Sequence, residues 1–278
     1  MFVSDKLIYL HLQKTGGTHI TRVLSRYVSR ERGKQSMHGS LPKGYVVNSK
    51  YVVGSIRNPW DWYVSLWAYG CARRGSFTNK LTRKKYGRYI NRLGSDLAGA
   101  LRGIRSERSK PVRQWQALYR DSKDPGLFRE WLCLLLSQER KYDLGPEYAC
   151  SMLSTYAGAM TYRYIGIYTG GGRSGGAIER ITNAEDLASY DSEYNVLDDV
   201  IRTESLHDDL IRVIGAAGYM LDQGKIEGIR NAGRTKTSTR YPAGQYYDNR
   251  TLDLVMEKER FLIEKYDYRP PELSVSAN

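Results

Sequence analysis

The sequence has 278 residues, of which 41% are hydrophobic and 26% charged, so it is long enough to bury the core of one large domain. Its 43 Lys and Arg residues against 30 Asp and Glu residues leave a net charge of +13, which favours anionic partners without selecting one. The absence of any long apolar run predicts no signal peptide or membrane span and indicates a soluble, cytoplasmic protein. Three cysteines without C-x-x-C spacing argue against a disulfide framework and against a zinc site.

The first elements in chain order form two strand-turn-helix units. A strand is predicted over residues 6–12, and the segment KTGGT at residues 14–18 connects it to a helix. A second strand, over residues 50–57, stops at Asn58-Pro59, after which a helical pattern runs to Gly70. From Cys71 to about Thr155 the sequence is mainly helical, with a helix start at Asp124.

Strands and helices continue to alternate in the last third of the chain. Strands are predicted over residues 162–168 and 198–202, with a flexible glycine-rich loop over 169–176 between them, and helices over 205–218 and 249–266. This order predicts an α/β fold with a central, mainly parallel sheet and a ligand site at the carboxyl ends of the strands. We expect a single domain over residues 1–278, with a core of 1–70 and 156–278 and a mainly helical insertion over about 71–155.

The segment KTGGT has the composition of a phosphate-binding loop. Gly16 and Gly17 allow a tight turn close to a ligand, and the amide groups that open the next helix attract an anion. Lys14 adds a positive charge, and Thr15 and Thr18 add hydroxyl donors. Because the lysine precedes the glycines, the loop differs from G-x-x-x-x-G-K-[ST], which disfavours a metal-dependent ATPase. The alternative is a tight turn that merely contains a lysine.

Two motifs make a resemblance specific. HLQKTGGTHI, residues 11–20, resembles the H-x-P-K-T-G-G-T-S loop of sulfotransferases that use 3′-phosphoadenosine 5′-phosphosulfate (PAPS), and GSIRNPWDWYVSLW is similar to their V-R-N-P-x-D-R-x-x-S motif. The resemblance implies a P-loop-like three-layer fold and a PAPS donor that leaves as 3′-phosphoadenosine 5′-phosphate (PAP), without a metal. It assigns the 3′-phosphate to Arg57 and Ser65, whose spacing also lets both side chains converge on one anion. The alternative is a structural turn in which Asp61 caps a helix. The residues assigned to the donor's 5′ end are Lys14, Thr15, Gly16, Gly17, Thr18 and His19.

Two further assignments depend on the resemblance. The motifs are most similar to heparan sulfate 2-O-sulfotransferases and related bacterial carbohydrate sulfotransferases, whose corresponding segment carries the general base. This implies that His38, in QSMHGSLPKGY, accepts the proton of the acceptor hydroxyl, against the alternative of an ordinary loop histidine. The basic segment GRTKTSTRYPAG resembles a loop that closes over the nucleotide, which makes Lys236 and Arg240 candidate donor contacts, against a merely mobile loop.

The predicted function is therefore transfer of a sulfuryl group from PAPS to an acceptor hydroxyl, with a carbohydrate favoured as acceptor and no nucleic acid expected. The alternatives are a nucleotide-dependent kinase and a basic nucleic-acid-binding protein.

Three positions depart from the motifs: Gln13 replaces proline, His19 replaces serine and Trp62 replaces arginine. His207 is expected on a helix surface. The aromatic residues of the insertion are Tyr86, Tyr89, Trp115, Tyr119 and Trp131. They either stack on sugar rings or fill a helical core, and we expect the two tryptophans to lie in the core.

Overall fold

The computed structural model describes residues 1–28, 41, 50–91, 93–169, 178, 181–233 and 240–273, which are mostly helical. The strands are β1 (Phe2–Val3), β2 (Leu7–Tyr9), β3 (Tyr51–Ile56) and β4 (Asp199–Arg202). The α-helices are α1 (Gly17–Tyr27), α2 (Pro59–Cys71), α3 (Ser76–Leu81), α4 (Gly87–Ile90), α5 (Leu97–Arg108), α6 (Val112–Ala117), α7 (Pro125–Leu136), α8 (Pro146–Ala149), α9 (Leu153–Tyr156), α10 (Ala159–Tyr168), α11 (Ala184–Tyr194), α12 (Leu206–Ala216), α13 (Gln223–Arg230), α14 (Asn249–Lys258) and α15 (Arg260–Tyr266). Short 3-10 helices cover Gln138–Leu144 and Ala243–Gln245.

The four strands form one mixed sheet in the order β1-β2-β3-β4. β1 pairs antiparallel with β2, whereas β2, β3 and β4 are parallel. Leu7 lies opposite Tyr51, and Val53 lies opposite Asp199. The predicted α/β class with a mainly parallel sheet is confirmed, as are the strands at residues 50–57 and 198–202. The first predicted strand is shorter than expected, and the edge strand β1 was not predicted.

The chain divides into two compact units. The first comprises Met1–Asn58, Arg163–Gly175 and Ala188–Thr237, and it contains the whole sheet. The second comprises Pro59–Tyr162, Gly176–Leu187 and Ser238–Asn278 and is helical in its described residues. The helical content predicted for residues 71–155 is confirmed, and α2 groups with this helical unit. The single-domain description remains a prediction.

Helices cover one face of the sheet in the first unit. α1 is strongly amphipathic and buries Ile20, Val23 and Leu24. These side chains belong to one apolar cluster with residues of the sheet, of α12 and α13, and of the caps that end α1 and α12: Phe2, Leu7, Tyr9, Val28, Val53, Ile201, Leu206, Leu210, Val213, Ile214, Ala217 and Ile229. This packing holds the loop before α1 at the carboxyl ends of the parallel strands.

The strand predicted over residues 162–168 is wrong, because this segment forms the second part of helix α10. Its apolar residues are almost all buried, and periodicity alone does not separate a buried strand from a buried helix. A residue that is distant in the sequence stabilises the helical conformation of this segment. The fully buried Glu259 carboxylate accepts hydrogen bonds from the amides of Met160 and Thr161, at 3.0 and 2.8 Å, and so caps the first turn of α10.

The helix predicted over residues 249–266 is interrupted at the same carboxylate. Glu259 lies between α14 and α15, and the Gly158 amide donates to the Lys258 carbonyl oxygen at 2.6 Å. Thr161 Oγ1 and the Tyr63 hydroxyl also donate to Glu259. Burial raises the pKa of Glu259.

Aromatic side chains fill the interior of the second unit. Trp115 and Trp131 are fully buried, so the expectation that they belong to the core is confirmed. Trp115 Nε1 donates to the Asp143 carboxylate at 2.9 Å, and Trp131 Nε1 donates to the Tyr119 hydroxyl at 2.8 Å. Asp124 caps α7 as predicted, accepting from the amides that follow it. None of the helices in the described ranges is both long and apolar enough to cross a bilayer.

Candidate functional site

The loop between β2 and α1 turns through two residues in the left-handed region. Lys14 has φ 69° and Gly16, the N-cap of α1, has φ 79°. The Gly16 carbonyl oxygen accepts from the amides of His19 and Ile20, at 2.8 and 3.0 Å. The preceding amides of Gly17 and Thr18 belong to the helical turn that lacks intrahelical acceptors. This end of α1 therefore has the backbone geometry and the positive dipole that favour an anion.

The second glycine of the loop is required by a buried ring. A Cβ placed on Gly17 would lie 1.9 Å from His11 Nε2, far inside contact distance. His11 is only 8% exposed, so the ring has little freedom to move away. Gly16 thus provides the turn, and Gly17 provides the close approach between α1 and the segment after β2.

A chain of hydroxyl groups fastens the loop to the sheet. Thr15 Oγ1 donates to the Leu12 carbonyl oxygen at 2.6 Å and lies 2.6 Å from Ser55 Oγ, which lies 2.8 Å from the Tyr9 hydroxyl. Because Thr15 has one hydroxyl proton, Ser55 must donate to Thr15 and Tyr9 must donate to Ser55. Burial raises the pKa of Tyr9 well above its usual range, which keeps this phenol a donor. The Thr15 hydroxyl, expected to face the ligand, is engaged inside the protein, so only its backbone remains a candidate contact.

Tyr168, on α10, fixes the same part of the backbone. Its hydroxyl accepts from the amides of Leu12 and Ser55, at 3.2 and 2.9 Å, and donates to the Ser55 carbonyl oxygen at 2.7 Å. Tyr168 is fully buried. The Tyr168 side chain therefore holds two parts of the backbone, strand β3 and the segment before the loop. The sequence pattern had predicted a strand for this residue.

Basic side chains collect at the carboxyl ends of the parallel strands. Arg57 follows β3 directly, and its Nη1 donates to the Lys14 carbonyl oxygen at 3.1 Å, so the structure brings two predicted donor-binding residues together. Arg202 ends β4 opposite Ile56. Lys14, Arg57 and Arg202 come from three separate parts of the sequence, and all three lie at the carboxyl ends of the parallel strands.

Sequence reasoning missed Arg163. This residue lies on α10, and its Nη1 donates to Gln13 Oε1 at 2.7 Å, at the position where the motif has proline. Placing residues 162–168 on a strand concealed that the arginine lies beside the loop. Arg202 lies in the segment VIRTESLHDDL, which resembles the F-I-R-x-E-x-L-x-x-D segment of the sulfotransferase family, a marker of the fold more than of a site.

His19 is buried against a second histidine. Its Nδ1 lies 3.3 Å from Arg22 Nη2, and its Nε2 lies 3.3 Å from His207 Nε2. Since arginine only donates, His19 Nδ1 accepts and His19 Nε2 carries the proton toward His207. His207 lies on helix α12, as expected, and this contact leaves it half-buried. Both ring nitrogens of His19 have partners in the protein.

The other predicted site residues lie in the second unit or outside the described residues. Ser65 is buried in the second turn of α2. Arg240 Nη2 forms an ion pair with Asp61 Oδ1 at 2.6 Å, and Asp61 lies in the first turn of α2. His38, Lys236 and most of the glycine-rich loop 169–176 lie outside the described residues. The contacts proposed for all of these residues with a donor or acceptor remain predictions.

No group of three or more His, Cys, Asp or Glu side chains in the described part of the chain could hold a metal ion. Comparison with protein-family profiles, with curated protein sequences and with solved structures found no match to this chain.

Proposed function

We propose that this chain is a PAPS-dependent sulfotransferase that transfers a sulfuryl group to an acceptor hydroxyl. One observation carries the proposal: the loop with left-handed Lys14 and Gly16 leads into the N terminus of α1 while the Arg57 guanidinium donates to the loop's own backbone. The HLQKTGGTHI and IRNPWDW motifs supply the two halves of this arrangement. Their order on successive strand-turn-helix units is the reason for preferring this class over other anion-binding proteins.

The loop would hold the 5′-phosphosulfate end of the donor. The amides of residues 15–18 and the Lys14 ammonium would neutralise charge on the departing 5′-phosphate. Arg57 would reach the 3′-phosphate, with Ser65 and the basic segment containing Lys236 and Arg240 as further candidate contacts. Because the Arg57 guanidinium already donates to the loop backbone, little side-chain entropy would be lost when it binds a phosphate.

The proposed reaction is an in-line displacement. The acceptor oxygen forms a bond to sulfur while the bond between sulfur and the bridging 5′-phosphate oxygen breaks, and that electron pair stays on the phosphate of PAP. The acceptor proton would pass to His38, because an unperturbed imidazole is the side chain whose pKa lies nearest neutrality. Positioning and electrostatic stabilisation would then supply most of the rate enhancement. A carbohydrate hydroxyl is the favoured acceptor because the motifs are most similar to those of enzymes that act on glycans.

The fold is consistent with this proposal. Helices α1, α12 and α13 contribute to the cluster on one face of the sheet, and on Gly54 of β3 a Cβ would meet Tyr168 of α10 at 3.0 Å. We therefore favour the P-loop-like three-layer arrangement for the first unit. In such folds the ligand binds at the carboxyl ends of the parallel strands, where Lys14, Arg57 and Arg202 lie.

The test is calorimetric titration of the full chain with PAP and, separately, with ATP in the presence of Mg²⁺. We expect PAP to bind and ATP to bind at least tenfold more weakly. Lys14→Gln should weaken PAP binding, whereas Lys225→Gln, which changes a lysine on α13 of the same unit whose side chain is 44% exposed, should leave it unchanged. Equal or tighter ATP binding would favour a kinase, and a Lys14→Gln variant with unchanged PAP affinity would overturn the assigned site.

With a ³⁵S-labelled donor, Lys14→Gln should lower turnover by about 10²–10³, because it removes a charge that stabilises the departing phosphate. His38→Ala should lower turnover without a comparable loss of PAP affinity. Transfer by His38→Ala at the wild-type rate would remove His38 from the mechanism but leave the donor site standing.

A further inference from the structure

The positive charge of the protein is concentrated in one segment. From Arg73 to Arg120 the sequence contains fourteen Lys and Arg residues and only two acidic residues, Asp96 and Glu107, while the whole chain carries a net +13. This segment contains α3 to α6, which belong to the second unit. It is therefore separate in sequence from the Lys14 loop and from Arg57.

Both acidic residues of the segment are used internally. Glu107 is 1% exposed, and its carboxylate accepts from Lys110 Nζ at 2.5 Å and from Arg88 Nη2 at 3.1 Å. Asp96 is the N-cap of α5 and accepts from the Gly99 amide at 2.9 Å. No acidic residue of the segment is therefore exposed beside its exposed cations. These cations are Arg73, Arg74, Arg83, Lys84, Lys85, Arg102, Arg105, Arg108, Arg113 and Arg120.

The same segment exposes large aliphatic side chains. Ile90 and Leu93 are 51% and 38% exposed, and Leu97 and Leu101 are 59% and 55% exposed. These four residues lie within the hairpin formed by α4 and α5, two helices that pack against each other. Single exposed aliphatic side chains are ordinary, but four of them within twelve residues are an unusual concentration for a surface in water.

Helix α5 presents both properties along one stripe. Leu97, Leu101, Arg105 and Arg108 are spaced by four, four and three residues and are all exposed. Gly99, Ala100, Gly103 and Glu107 form the buried side of the same helix. The helix thus combines an inward face of small residues with an outward stripe that is apolar at its start and cationic at its end.

We propose that this basic-apolar surface, formed by Ile90, Leu93, Leu97 and Leu101 with the exposed arginines and lysines around them, binds the surface of an anionic lipid bilayer. Charge complementarity selects the partner, because anionic headgroups attract the cations while the acyl boundary accommodates the leucines. A nucleic acid or a sulfated glycan would use the arginines but not the leucines. A second copy of the same surface would bring like charges together. The proposal does not depend on the proposed reaction.

The experiment is co-sedimentation of the full chain with vesicles of phosphatidylcholine alone and of phosphatidylcholine mixed with phosphatidylglycerol. We expect binding only to the anionic vesicles, and weaker binding at high salt. Arg105→Gln with Arg108→Gln should lower the partition coefficient about 25-fold, since each cation near the membrane contributes about fivefold. Leu97→Ser with Leu101→Ser should lower it about tenfold or more.

Two matched variants serve as controls. Met220→Ser removes a side chain that is 90% exposed in the first unit, and Arg250→Gln with Arg260→Gln removes two exposed cations of α14 and α15. Neither should change vesicle binding appreciably, and every variant should melt at the wild-type temperature because the substituted side chains are exposed. Absence of binding to anionic vesicles would overturn the proposal. The proposal would also be overturned if the Leu97→Ser, Leu101→Ser variant bound anionic vesicles as well as the wild type does. If that variant also bound heparin or DNA tightly, the partner of this surface would be a polyanion instead of a membrane.

Discussion

Lys14 allows the backbone strain of the candidate site to be measured separately from its charge. Its φ of 69° lies in the left-handed region, where a Cβ costs about 1–2 kcal/mol. Lys14→Ala and Lys14→Gly both delete the ammonium group, but only the alanine retains a Cβ. The difference in stability between these two variants therefore reports the strain at this position and excludes the effect of the lost charge.

The expected difference is about 1 kcal/mol in favour of Lys14→Gly. Relief of the left-handed strain favours glycine by about 1–2 kcal/mol, and the greater freedom of glycine in the unfolded chain opposes it by about 0.5–1 kcal/mol. For a chain of 278 residues, about 1 kcal/mol corresponds to a rise of roughly 2 °C in melting temperature. The glycine variant should thus be more stable than the alanine variant, while both bind PAP weakly.

Urea unfolding followed by tryptophan fluorescence is the assay, with the Arg73→Ala and Arg73→Gly pair as control. Arg73 has φ 54° and is exposed, and it lies outside the proposed site. The glycine variant should be the more stable member of both pairs, but only the Lys14 pair should lose PAP affinity. Equal stability of the two Lys14 variants would show that the loop does not hold this residue in the left-handed conformation, and would refute the reasoning.

Three further outcomes follow from the contacts described above. Gly17→Ala should destabilise the fold by about 1–3 kcal/mol in urea unfolding, because its Cβ would lie 1.9 Å from the His11 ring, and adding His11→Ala should restore part of that loss. Thr15→Val should cost about 1–3 kcal/mol by leaving buried hydrogen-bonding groups unsatisfied, whereas Thr15→Ser should cost clearly less; an equal cost for both would contradict the hydroxyl chain. Burial raises the pKa of Glu259, so its contribution to stability is fully present below its unfolded-state pKa and is lost as pH rises through the folded-state value. Wild type measured against Glu259→Gln should therefore gain relative stability as pH falls through that range, and a flat difference would show that this pKa is not raised.

Local sequence signals were sufficient for the elements around the candidate loop. The β-branched run at residues 50–57 and the amphipathic pattern after Gly17 identified β3 and α1, because each pattern matches the face that the element buries. The glycine pair was recognised as a tight turn, but its two members act differently. Only the three-dimensional structure shows that Gly17 accommodates a ring from His11 while Gly16 provides the positive φ.

The errors occur where a distant residue determines local structure. Residues 162–168 have the composition of a strand, yet they form a helix whose first turn is capped by Glu259, about a hundred residues later in the sequence. The same side chain marks the break between α14 and α15. The Thr15 hydroxyl was expected to face a ligand, but Ser55, forty residues away, occupies it. A propensity window cannot register such contacts, because the partners are separated by far more residues than it spans.

The two groups of cations in this protein differ in how firmly they are held, and that difference indicates different partners. At the sheet edge, Arg57 and Arg163 donate to the backbone and to a side chain of the loop itself, so their positions are fixed before any ligand arrives. Fixed donors suit a small ligand with phosphates at defined separations, because little conformational entropy is lost on binding. Arg105 and Arg108 are exposed on α5 beside leucines and suit a fluid surface whose charges can rearrange. Salt should therefore weaken vesicle binding far more steeply than PAP binding, since exposed charges are screened much more than partly buried ones.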